Sequence, residues 1–225
     1  MGIFVDDDIT ATGSNGVGIF VEGGITATGS NGVGVITGDD ITVTGSNGIG
    51  ISVADITATG SNGVGAVIDI ISAGLYGIET RNITAMNTGI YVYREVDSGA
   101  TGYFGGVVSG GNYGIHVSRD IISSNGTAVF VNGSVSGELY GIKVQDDITS
   151  SNGTGIYVSG NISGTTNSIY TSEVYGDLSL GDVMGSIVAG DVVSTIGTAI
   201  EVNSVNGSEC GIKVNGSISG ASYGI

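Results

Sequence analysis

The chain has 225 residues, 44 of them glycine, with no proline and no tryptophan, and a net charge of −16 from 21 acidic residues against five cations. Hydrophobic residues at 40% exclude a disordered chain, and the glycines do not follow the every-third-residue rule of collagen. Arg81, Arg94, Arg119, Lys143 and Lys213 are too scattered to neutralise a phosphate backbone, which excludes nucleic acid and disfavours an anionic membrane surface as partner.

The opening, residues 1–65, is a set of near-identical copies: ITATGSNGVGIFV from Ile9, ITATGSNGVGVIT from Ile25, ITVTGSNGIGISV from Ile41 and ITATGSNGVGAVI from Ile56. Gly-Ile-x-Val and Ile-Thr-x-Thr each alternate apolar and polar with period two, which predicts two short β segments per unit and no helix. Ser-Asn-Gly, at Asn15, Asn31, Asn47 and Asn62 and again at Asn125 and Asn152, predicts tight corners, because Asn and Gly tolerate left-handed backbone at least cost. Residues 66–225 carry diverged copies, with degenerate ones from Thr127, Ser168 and Thr198 and irregular excursions expected near 93–112 and 174–191. The whole of 1–225 reads as one array, an all-β parallel β-solenoid of 12–16-residue units. In-register stacking at ~4.8 Å lets each coil complete its neighbour's core. A coil holds one unit or two. The similarity of the stretch from Asp120 to the stretch from Asp147 favours two units, hence coils of about 27 residues. Proline would remove ladder donors, so its absence fits.

Met1 occupies the slot of Val17, Val33, Ile49 and Val64, so the array is expected to be a fragment of a longer one. Uncapped coil edges would then permit end-to-end self-association. Cys210 stands alone, is expected to be a small apolar filler, and allows no intramolecular disulfide. No eighteen-residue apolar run predicts a transmembrane helix, and no basic-then-apolar leader is present.

GIYVSGNISG, GIKVNGSISG and AVFVNGSVSG resemble the repeats of bacterial autotransporter passengers and related adhesin-like β-helix proteins. The resemblance covers nearly the whole chain and concerns architecture. It implies a right-handed parallel β-helix at the bacterial cell surface, extracellular and non-catalytic. Its role would be that of an adhesive or spacer stalk, facing a glycan or protein receptor on a host or neighbouring cell.

Two outward files are candidate surfaces. Thr10, Thr12, Thr26, Thr28, Thr42, Thr44, Thr57 and Thr59 would form paired threonine files on one face, resembling those of ice-binding solenoids; equally, exposed strand positions favour threonine. The x of Gly-Ile-x-Val would form an aromatic file with Phe4, Phe20, Tyr91, Phe130, Tyr157 and Tyr170, suited to sugars or a partner, or simply to a cross-strand ladder. His116 lies in this file with neither triad nor metal cluster around it. No catalytic or metal-ligating residue is nominated, and no cofactor. Calcium at Asp6-Asp7-Asp8, Asp39-Asp40 or Asp146-Asp147 is a weaker reading than solvated turns, because Glu22-Gly23-Gly24 breaks the column. A carbohydrate-active enzyme would have to draw its carboxylates from Glu95 and Asp97 (beside Arg94), or from Asp177, Asp182 and Asp191.

Overall fold

A computed structural model describes residues 2–12, 17–28, 33–43, 49–60, 62–194, 198–206 and 211–225, and of residue 104 the backbone only. Its strands all pair in parallel, coil on coil. The pairing settles how many units make a coil. Ile19 lies against Ile51, a step of 32 residues, and Ile115 lies against Ile142, a step of 27. Both steps span two sequence units, so one coil holds two.

Each coil contributes to four columns. In one coil Val33–Thr37 belongs to the first column and Ile41–Val43 to the second. The ten-residue strand Ile49–Ala58 then bends to supply the third and the fourth. The next coil begins at Val64–Ile68, which returns to the first column. Among the described residues that column has nine strands, from Ile3–Val5 to Ile212–Val214. At ~4.8 Å per rung it makes a rod of roughly 38 Å.

The period-two pattern decides what is inside. In Tyr140–Val144 Ile142 and Val144 are fully buried while Tyr140 and Lys143 face outward. Along the first column Ile90, Ile115, Ile142 and Ile169 stack in one continuous apolar core. Each such isoleucine contributes roughly 1.5–3 kcal/mol by leaving water, so no coil is stable without its neighbours. Within Ile49–Ala58, Ala54 and Asp55 are both half-exposed, and this break in alternation is the bend.

The glycine before each isoleucine lines the inner side of a corner. A Cβ on Gly50 would come within 2.6 Å of Gly77 O and 2.7 Å of Ile71 Cγ2 on the next coil. Close approach of backbone to core therefore requires the glycine there. Ala128, Ser168 and Ala199 hold the same slot in other coils and are completely buried, so the corner relaxes where the sequence degenerates.

Of the two expected excursions, 93–112 keeps the regular rungs, whereas 174–191 departs from the regular coil. Val96–Ser98 and Thr101–Gly110 are regular rungs. What changes there is the filling: Tyr103 takes the inward slot between Ile78 and Val129. Its hydroxyl lies 3.2 Å from Thr80 Oγ1, burial raises its pKa well above the phenol range, and Gly105 leaves room beside it. Residues 174–191 form a shortened coil. Thr149 and Thr154 pair with Tyr175 and Asp177, so four corner residues below are replaced by Gly176 alone above. Gly176 and Gly185 adopt φ of 128° and 133°, the only positive φ values recorded among the described residues.

Candidate functional site: the outward files

Two units per coil has a direct consequence for the outward side chains. Alternate Gly-Ile-x-Val units go to different columns, so the single aromatic file divides. The first column carries Phe4, Ile36, Val67, Tyr91, His116, Lys143, Tyr170, Val188 and Lys213. The third carries Phe20, Ser52, Glu79, position 104, Phe130, Tyr157, Ser179 and Glu201. The second and fourth columns stand between them on either side.

The threonine surface divides in the same way. Thr10 pairs with Thr42 in the second column, whereas Thr26 pairs with Thr57 and Thr57 with Thr84 in the fourth. Thr12, Thr28 and Thr59 are exposed just beyond the strand ends, and Thr44 lies outside the described residues, as do Asn15, Asn31, Asn47 and Cys210. The expectation of two threonine files on one plane is thereby corrected. The second column continues through Ser72, Asp97 and Ile122, so no extended threonine lattice follows.

On the first column the rings form a self-packed cluster. Tyr113 and Tyr140 stack at 5.5 Å and 1°, His116 lies 4.9 Å from both Tyr113 and Tyr91, and Tyr93 meets Tyr91 edge-on at 4.6 Å. Lys143 Nζ sits 5.6 Å from the Tyr113 ring and 5.3 Å from that of Tyr140. Burial first, and the Lys143 charge second, push His116 down to about 4, and its Nε2 is buried without a hydrogen-bond partner. The imidazole is therefore neutral at ordinary pH and acts as a member of the ladder. Tyr113 and Tyr140 stand outside the Gly-Ile-x-Val slot from which the aromatic file is read. Their signal was present as the tyrosine before Gly-Ile, repeated at the spacing of one coil.

The third column is less continuous. Phe130 and Tyr157 stack at 4.9 Å and 14°, but Phe20 is 66% exposed and a shallow groove of about 360 Å³ opens beyond it, lined by Ser52, Glu79 and Arg81. Ser52 Oγ donates to Glu79 Oε2 at 3.2 Å.

The acidic corners between the first and second columns have a backbone role. Asp8, Asp120 and Asp191 each accept an amide N–H from the coil above, from Asp40 at 3.2 Å, Asp147 at 2.9 Å and Ser217 at 2.6 Å. Arg94 bonds to Asp69 (Nε to Oδ1 at 2.9 Å, with Nη2 on Oδ2 as well) and reaches Asp40 at 3.3 Å. The guanidinium lowers the Asp69 pKa, while burial raises that of Asp40 despite the same cation. At Asp147 burial and then Glu173 and Asp120 raise the pKa. Among the described residues no group of three or more His, Cys, Asp or Glu side chains converges as a metal site.

The carboxylates considered for hydrolysis do not meet. Glu95 is at the corner before the second column, Asp97 faces out from it, and Arg94 is engaged by Asp69 and Asp40. Asp177, Asp182 and Asp191 lie at three different corners of the short coil, with Asp182 accepting from Ser204 Oγ at 2.8 Å. Among the described residues no helix is long and apolar enough to cross a membrane. Comparison with protein-family models, with curated proteins and with solved structures finds no match.

Proposed function

We propose that this chain is a segment of a non-catalytic β-solenoid stalk, displayed outside a bacterial cell and adhesive toward a host or neighbouring surface. The observation that carries the reading is the separation of inside from outside. Along the first column the inward slot holds isoleucine in four successive coils, from Ile90 to Ile169. On the same coils the outward slot runs through Tyr91, His116, Lys143 and Tyr170. The core is thus a uniform spacer, and the outer faces are free to vary for recognition. The negative charge serves solubility of a β-rich rod through self-repulsion. The resemblance to adhesin-like β-helix repeats points the same way.

The test is surface display of the chain on a non-adherent bacterium, followed by adhesion to cultured host cells and to immobilised glycans. Adhesion above that of bacteria displaying no passenger, with no release of reducing ends from a polysaccharide panel, is the expected result. Turnover of any of those polysaccharides, or adhesion equal to the control, would overturn the reading.

A further inference from the structure

The third column repeats one arrangement twice. Phe20, Ser52 and Glu79 occupy three successive coils in register, and Tyr157, Ser179 and Glu201 occupy three others. In each set a ring is followed by a small serine, which leaves the ring face on that side uncovered, and then by a glutamate that closes the far wall. Both sets are open: the first groove measures about 360 Å³, and the second about 190 Å³, lined also by Ser159 and Asn203. In the second set Phe130 covers the other face of Tyr157 at 4.9 Å and holds the ring upright.

We infer that these are two copies of one subsite for a neutral saccharide, deepening the adhesive reading on which the inference rests. A sugar ring offers an apolar C–H face to the uncovered aromatic and hydroxyls that donate to the carboxylate. The hydroxyls of Ser159 and Ser179 and the amide of Asn203 supply both donors and acceptors beside it. A cationic peptide would also be drawn to an aromatic ring next to a glutamate. In the first groove the Arg81 guanidinium is paired with Asp55 at 3.4 Å and stands beside Glu22 and Glu79, so hexalysine is the competing probe there, while the serine hydroxyls of both grooves and the Asn203 amide of the second favour the saccharide. An acidic glycan is disfavoured by the glutamate and by the net charge of −16. A neutral ligand fits both copies. Phe20 and Tyr157 are five coils apart, ~24 Å along the rod, so a glycan chain of that reach engages both and gains avidity that neither shallow site has alone.

The probes are neutral hexasaccharides (maltohexaose, cellohexaose and mannohexaose) and, as the competing class, hexalysine, each titrated at millimolar concentration into the uniformly labelled chain and followed by amide NMR. The inference requires one hexasaccharide to shift amides around Ser52 and Glu79 and also around Ser179 and Glu201, with hexalysine leaving both unmoved. Tyr157→Ala should silence the second set alone, with a small drop in the unfolding midpoint from the lost stack on Phe130 and the rest of the amide spectrum unchanged. The double variant with Phe20→Ala should weaken retention on the corresponding immobilised polysaccharide by roughly a hundredfold. Shifts at one groove only, shifts from hexalysine, or no shift with any hexasaccharide would overturn it. The two readings fail differently. Displayed cells that adhere equally well after Phe20→Ala and Tyr157→Ala would sink the subsites and leave the adhesive stalk, whereas parent cells that do not adhere would sink the stalk.

Discussion

Thr37 sits in an inward slot that Val5 and Ile68 occupy on the coils either side, 3% exposed and with its Oγ1 buried without a hydrogen-bond partner. Thr171 is equally buried, yet its hydroxyl lies 3.0 Å from Asp146 O and 3.1 Å from Glu173 O. An unmet buried hydroxyl costs about 1–3 kcal/mol. Thr37→Val should therefore raise stability by about 1 kcal/mol in urea unfolding, whereas Thr171→Val should lower it. His116 gives the second prediction at this scale. The ring titrates near 6.5 when unfolded and at about 4 in the fold, facing Tyr91, Tyr113 and Lys143. Between those pH values the unfolded state binds the extra proton, so this group's contribution to stability is lost as pH falls from 6.5 toward 4. His116→Phe should flatten that limb of the stability profile. Asp40 and Asp147, whose pKa values are raised, act oppositely: stability is gained as pH falls through their folded values.

At the scale of the element, the short coil stands on its glycines. Gly176 has φ of 128° and replaces a four-residue corner. Gly176→Ala should destabilise by roughly 1–3 kcal/mol, while alanine is already the resident at Ala128 in an ordinary corner slot. A second element-scale prediction concerns Tyr103 and Gly105. Gly105→Val should crowd the tyrosine hydroxyl and lower the unfolding midpoint, and adding Tyr103→Ile should recover most of the loss, because Ile78 and Val131 are the neighbours those side chains imitate. A double-mutant cycle in urea checks the coupling. These two stretches show where the sequence was legible and where it was not. Alternation in Gly-Ile-x-Val and Ile-Thr-x-Thr announced strand, inward face and outward face, because burial on one side leaves a period of two. Residues 93–112 read as irregular because a large inward tyrosine disguises the period although the backbone keeps the rung, whereas 174–191 read as irregular because the corners are in fact shortened and the register shifts. The division of the outward files was hidden for a different reason. Successive units are nearly identical inside, so nothing in Phe4 or Phe20 marks which column it joins; only the coil-to-coil step does.

For the whole molecule, the position of every outward side chain depends on that step. If a coil held one unit, Phe4 and Phe20 would be neighbours, the threonines would form one plane, and the paired grooves of the third column would not exist. With two units, Ser109 lies beside Ser136, their hydroxyl oxygens 3.2 Å apart; with one, residue 109 would lie beside residue 122 instead. Neighbouring rungs at ~4.8 Å are within disulfide reach. The decisive measurement is oxidative cross-linking in a Cys210→Ser background, comparing Ser109→Cys with Ser136→Cys against Ser109→Cys with Ile122→Cys, read by mass spectrometry of the folded chain. Rapid, complete disulfide formation in the first pair and none in the second is the expected result. Formation in the second pair and not the first would contradict the two-unit coil, and with it the placement of every outward residue on which recognition is argued.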